Sequence, residues 1–201
     1  MMTRCDTLLR AFFARDPVTV AQELLGKQLV RENDDGIVTG IIVETEAYLA
    51  AHDPASHAYS KRRHCYRKTP RCAPMFGPPG HAYVYQAYGR HYCLNIVTEE
   101  EDTPSAVLLR AVQPEVGLDV MQRRRGTGRP AALATGPGNV CQAFAIDLAL
   151  NGWDMTRGQR LWVAMPAASA ALQIVRSRRI GVADDLELRF SVVCRRRREA
   201  L

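Results

Sequence analysis

Apolar and polar positions change period several times along this chain, and each change marks an expected element. Asp16-Pro17 reads as an N-cap followed by proline at the first helical position, which predicts a helix ended by Gly26. Two apolar runs, residues 28–31 and 37–48, flank Asn33-Asp34-Asp35-Gly36 and predict a hairpin. A second hairpin is expected over residues 82–97, turning near Tyr88-Gly89, and residues 106–112 read as a buried strand. Pro114 opens an expected helix running to about Arg125 before Gly126, and Gly136-Pro137-Gly138 precedes another through Ile146. Further strands are expected at 161–164, 179–182 and 188–193, with a small-residue loop at 165–172 and a solvated tail at 195–198. Strands joined mostly by hairpins favour an α+β fold: a single domain with a curved, mostly antiparallel sheet and peripheral helices.

Length and composition narrow the class. A chain of 201 residues, 47% hydrophobic, buries roughly 70% of its unfolded surface on folding and needs no staples. No stretch approaches the ~18 apolar residues of a membrane span, and the first fifteen residues carry three scattered arginines rather than a basic head on an apolar block. The expectation is an intracellular protein of the cytoplasm or nucleoid (the nucleus in a eukaryote), with no membrane partner. The six cysteines form no CxxC pair and read as free thiols.

Charge changes the picture more. The net charge is +6, with 24 arginines against three lysines, Lys27, Lys61 and Lys68. Guanidinium groups bind phosphate bidentately, and scarce lysine leaves few candidates for Schiff-base chemistry. All seven tyrosines and all five histidines lie between residues 48 and 92. Between Asp53 and Glu99 there is no acidic residue, while Lys61, Arg62, Arg63, Arg67, Lys68, Arg71 and Arg90 supply seven cations. Cations interleaved with rings are what a nucleic-acid surface needs, because cations neutralise phosphates and rings stack on exposed bases. The competing reading is a solvated loop beside buried core tyrosines.

Two segments carry candidate chemistry. On the strand Ile42-Val43-Glu44-Thr45-Glu46-Ala47-Tyr48, alternation puts Glu44, Glu46 and Tyr48 on one face. Carboxylates in an apolar strand need a partner or a job: arginine pairing explains either one, and Glu46, nearer the aromatic segment, is the better general base on water. Tyr83 and Tyr85 share a face, whereas Tyr88 stands beside glycine at the turn, free to project as a wedge into a base stack.

These residues also carry a resemblance. VETEAY (43–48), DPASHAY (53–59), TPR (69–71), MFGPPGHAYVYQAYG (75–89), CLNIVTE (93–99), VLLRAVQP (107–114), GPGN (136–139) and RIGV (179–182) resemble, in order and approximate spacing, the alkyladenine (3-methyladenine) DNA glycosylase family. The resemblance covers roughly residues 8–190 and makes residues 1–201 one glycosylase domain. It implies a monomeric enzyme that binds double-stranded DNA containing damaged purines, flips an alkylated or deaminated base (3-methyladenine or hypoxanthine type) out, and hydrolyses its N-glycosidic bond without metal or other cofactor. Carried onto matching positions, it implies that Glu46 activates water with Arg110 beside it, and that Tyr48, His57 and Tyr85 sandwich the base. Asn95 would exclude the amino group of guanine, and Tyr88 would fill the vacated stack. Arg71, Arg62 and Arg63 are expected on DNA phosphates. The segment SKRRHCYRK (60–68) is longer than the family pattern, so contacts there do not carry over. His64, Cys65 and Cys72 raise zinc, but the HxE and PCxxC spacing of zinc deaminases is absent. The rival readings are a non-catalytic nucleic-acid binding module and a hydrolase of small nucleosides.

Overall fold

The computed structural model describes residues 6–50, 53–167, 171–183 and 185–193. Two short helices, α1 (Arg10–Phe13) and α2 (Pro17–Glu23), precede the hairpin of β1 (Gln28–Asn33) and β2 (Gly36–Tyr48). The Asp16 side chain caps α2 by accepting from the Thr19 N–H at 2.8 Å, and Pro17 takes a position where the missing N–H costs nothing. A separate two-stranded hairpin, β3 (Tyr59–Ser60) and β4 (Cys65–Tyr66), comes before β5 (Ala82–Ala87), β6 (His91–Thr98) and β7 (Ser105–Val116). Helices α3 (Leu118–Arg125) and α4 (Pro137–Ala143) lead to β8 (Leu161–Ala164), β9 (Ile174–Ser177) and β10 (Arg189–Val192).

Eight strands form one sheet in the order β5-β6-β7-β2-β1-β8, and every pairing is antiparallel. The sheet forks at β2. Residues 36–41 of β2 pair with β1, while Glu44 to Glu46 on the same edge pair with β10, which pairs in turn with β9. Against β7 the register slips at two neighbouring places, so that Val43 on β2 and Arg110 on β7 have no opposite residue. Bulges of this kind bend a strand and re-aim side chains, and here they sit where the sheet divides.

Alternation separates two faces. Ala82, Val84, Leu94, Ile96, Val107 and Leu109 join the main core, which α1, α2 and α4 cover with Phe13, Val20, Leu24, Val140 and Phe144. The neighbouring positions point the other way: Tyr83, Val97 and Ala106 form a smaller cluster with Ala58, Cys72, Met75 and Phe76 from the segment after β2. Thr45 confirms the core side by donating to the Ala21 carbonyl of α2 at 2.8 Å. Glu44, Glu46 and Tyr48 therefore belong to the second face. Among the described residues, no helix is long and apolar enough to cross a membrane.

Three expectations change. Pro114 does not open a helix but continues β7, opposite Gly40 at a third register slip. Proline is tolerated there because β6 pairs β7 only over residues 105–108, leaving the other edge free of a ladder. Helix α3 begins instead at Leu118, after Gly117 turns the chain with φ +76. Helix α4 stops at Ala143 rather than Ile146, since Ala145 adopts a left-handed φ of +48. Residues 179–182 are not a strand: the Arg179 side chain turns inward and Gly181 bends the chain at φ +80. The expected tail at 195–198 and part of the 165–172 loop lie outside the described residues.

Candidate active site

A cleft of about 600 Å3 opens on the second face, over β5, β6, β7 and the end of β2. Directly beneath its floor lies Glu46, with no exposed surface. Its Oε1 accepts the Ile180 N–H at 2.8 Å and faces Arg110 Nε at 3.4 Å, and its Oε2 accepts the Tyr48 hydroxyl at 3.0 Å. Tyr48, Arg110 and Ile180 themselves line the cleft. Burial raises the proton affinity of Glu46 above that of an ordinary glutamate, although the Ile180 amide, Arg110 and Tyr48 all pull it down. Burial also pushes the Tyr48 phenol up, with the Glu46 carboxylate adding to the effect. The Arg110 Nε donates at 3.0 Å to Glu44, so both carboxylates converge on one guanidinium.

Aromatic rings form the walls. His57 and Tyr85 stand edge to face with ring centroids 4.5 Å apart, and the His57 Nδ1 lies 2.8 Å from the Tyr83 hydroxyl. The rings around that imidazole desolvate it and the Arg71 charge adds repulsion, so its pKa falls to about 4 and the ring is neutral at physiological pH. Arg71 is exposed and holds its guanidinium 5.2 Å from the centre of the Tyr85 ring. Asn95 is buried against the cleft and donates to the Tyr83 carbonyl at 3.2 Å.

Tyr88 is 94% exposed at the tip of the β5–β6 turn. Both central residues, Tyr88 and Gly89, have positive φ, +50 and +68, and the Arg90 N–H closes the turn on the Ala87 carbonyl. Glycine or asparagine suits such a turn, so a tyrosine there costs local strain and leaves its ring in water at the cleft rim.

The structure thus gathers Glu46, Arg110, Tyr48, His57, Tyr85, Asn95, Tyr88 and Arg71 around one cleft. It does not bring Arg62 and Arg63 there: they are exposed in the turn joining β3 and β4 and do not line the cleft. The zinc idea has no geometric support, since Cys72 is buried and Cys65 exposed, and no group of three possible ligands occurs among the described residues.

Comparison with known proteins supplies the family. The model of the family "Methylpurine-DNA glycosylase (MPG)" matches residues 11–196. This chain belongs to the methylpurine-DNA glycosylase family. A relative from Methanoculleus marisnigri is 49% identical over 189 residues, covering 92% of this chain and 94% of its own length. Another, from Carboxydothermus hydrogenoformans, is 46% identical over 185 residues, covering 91% and 93%. A third, from Desulfitobacterium hafniense, is 42% identical, covering 86% of each chain. Each carries the name "Putative 3-methyladenine DNA glycosylase". The family is an N-glycosylase class of enzyme, so the non-catalytic reading falls away.

Two residues outside the expected set support the cleft from behind. Arg179 and Asp53 form a fully buried two-pronged ion pair at 2.7 and 2.9 Å. Arg179 also donates to the Ala47 carbonyl and sits 4.7 Å from the centre of the Tyr48 ring, so it fixes one wall of the cleft from behind. Asp53 in turn accepts the N–H groups of Leu49 and Ala55, holding the chain between Tyr48 and His57. Asp53 stands in DPASHAY and Arg179 in RIGV, yet nothing local says that residues 126 apart are partners.

Proposed function

We propose that this glycosylase excises alkylated purines, and deaminated ones such as hypoxanthine, from duplex DNA by flipping the base into the cleft and attacking C1′ with water. The observation that carries this reading is Glu46: a buried carboxylate of raised proton affinity, bonded to three groups that line an aromatic cleft. Such a group is poised as a general base. Tyr48, His57 and Tyr85, which all line the cleft, stack on the purine, Asn95 meets its edge, and Tyr88 occupies the gap left in the duplex. Arg71, beside the cleft, contacts phosphate, as do Arg62 and Arg63 farther out.

The carboxylate is closed off by Tyr48, Arg110 and Ile180, so water enters as the incoming base displaces the Tyr48 hydroxyl from Oε2. The water oxygen then bonds C1′ while Glu46 takes its proton. The glycosidic electron pair leaves with the base, which for a cationic alkylpurine becomes neutral. No lysine lines the cleft among the described residues, and the products are a free base and an intact abasic site rather than an imine.

The test is release of free base from methylated duplex DNA by purified protein in EDTA, compared with Glu46→Gln. The amide is nearly isosteric but cannot accept the proton, so the variant binds DNA and loses at least about 100-fold in single-turnover rate. A variant rate within a few-fold of wild type removes Glu46 as the base.

A further inference from the structure

Glu44 lies two residues before the proposed base on β2, and the fork in the sheet surrounds it with arginines from two different strands. On β7, Arg110 Nε donates to Glu44 Oε1 at 3.0 Å and faces Glu46 Oε1 at 3.4 Å, so one N–H is contested by two carboxylates. On β10, Arg189 donates from its Nη1 to the same Glu44 oxygen at 3.1 Å. Arg189 is itself anchored, its Nε donating to Ser177 Oγ at 2.9 Å and to the Arg178 carbonyl. The result is a chain, Arg189–Glu44–Arg110–Glu46, in which each charge draws on the next. Of the four, only Arg189 carries no expectation from the sequence.

We propose that Glu44 and Arg189 are positioning residues that govern how much of the Arg110 charge reaches Glu46, and so set the basicity of the catalytic carboxylate. Glu44 holds Arg110 partly away from Glu46 and adds its own negative charge, which keeps Glu46 a stronger base. Arg189 acts oppositely, neutralising Glu44 and loosening its hold on Arg110. Among the described residues, the other polar groups facing Glu46 are the Tyr48 hydroxyl on β2, the Ile180 amide from the loop after β9, and Cys93 on β6. Arg179 acts from behind Tyr48. All of these groups are retained in the chain when residue 44 or 189 is replaced by an uncharged amide. The inference rests on Glu46 being the base.

The experiment is the pH profile of single-turnover excision on duplex DNA carrying a methylated purine, for wild type, Glu44→Gln, Arg189→Gln and the double variant. Loss of the Glu44 charge should move the acid limb to lower pH, and loss of Arg189 should move it higher, each by at least about half a pH unit. The double variant should return towards wild type. Arg189 is partly exposed, so its variant carries the test alone if Glu44→Gln fails to fold. Acid limbs that stay put, or that move the same way in both single variants, overturn the inference. Glu46→Gln, run beside them, separates the cases: if it remains active the general-base reading fails, and if it is inactive while the limbs stay fixed only the positioning role fails.

Discussion

Tyr88 and Glu46 illustrate opposite ways in which a single side chain departs from what folding alone would choose. A ring in water on a left-handed backbone contributes little to stability, and a carboxylate without exposed surface costs desolvation that three partners only partly offset. For Tyr88 the proposed role as a wedge has a testable outcome. As a wedge, Tyr88→Ser leaves stability within about 0.5 kcal/mol of wild type, because the exposed ring packs against nothing. Excision from duplex DNA nevertheless falls, since flipping costs a few kcal/mol of unstacking and unpairing that the ring helps to offset. A lesion in single-stranded DNA suffers less. Melting temperature and the two excision rates decide it: equal losses on both substrates would take Tyr88 out of the site.

Among the elements, the β3–β4 hairpin is the one whose form the family pattern did not supply. It is inserted between His57 and Arg71, both on the cleft, and its base is tied down where the Arg67 N–H donates to the Ala58 carbonyl at 2.7 Å. Tyr66 packs on the small cluster that includes Tyr83, and its ring meets Tyr59 edge to face. The tip carries Lys61, Arg62 and Arg63, all exposed and, among the described residues, without a carboxylate partner, whereas Arg10, Arg15, Arg110, Arg124, Arg179 and Arg189 each have one. Unpaired cations at the end of an anchored hairpin are free to neutralise DNA phosphates. Replacing all three by serine should weaken binding to undamaged duplex and flatten the plot of log K against log salt by about 0.9 for each phosphate no longer neutralised. Excision at saturating enzyme should hold. An unchanged slope would show that the hairpin stays clear of DNA.

Over the whole molecule, the site depends on contacts that close long loops. The Asp53–Arg179 pair ties the segment after β2 to the segment after β9 and braces Tyr48 from behind. Asp53→Asn removes the buried carboxylate that meets the Arg179 guanidinium at two points, so stability should fall by about 3 to 5 kcal/mol and excision with it. A urea midpoint that implies a fall of less than about 1 kcal/mol would mean that the pair is replaceable. What the sequence by itself determined is whatever a short window specifies. The Asp16-Pro17 cap, the turn at Tyr88-Gly89 and the shared face of Glu44, Glu46 and Tyr48 follow from capping, turn chemistry and the two-residue period of a strand. The ordered blocks from VETEAY to RIGV carried the family and most of the residues around the cleft. Only the tertiary structure decided that Pro114 continues a strand, because an open edge and a register slip relieve its missing N–H. It alone brought Arg179, Ile180 and Arg189 to Tyr48, Glu46 and Glu44, and left Arg62 and Arg63 outside the cleft. Partners that lie in distant parts of the chain are chosen by how the forked sheet closes, and no local pattern of apolar and charged positions encodes that choice.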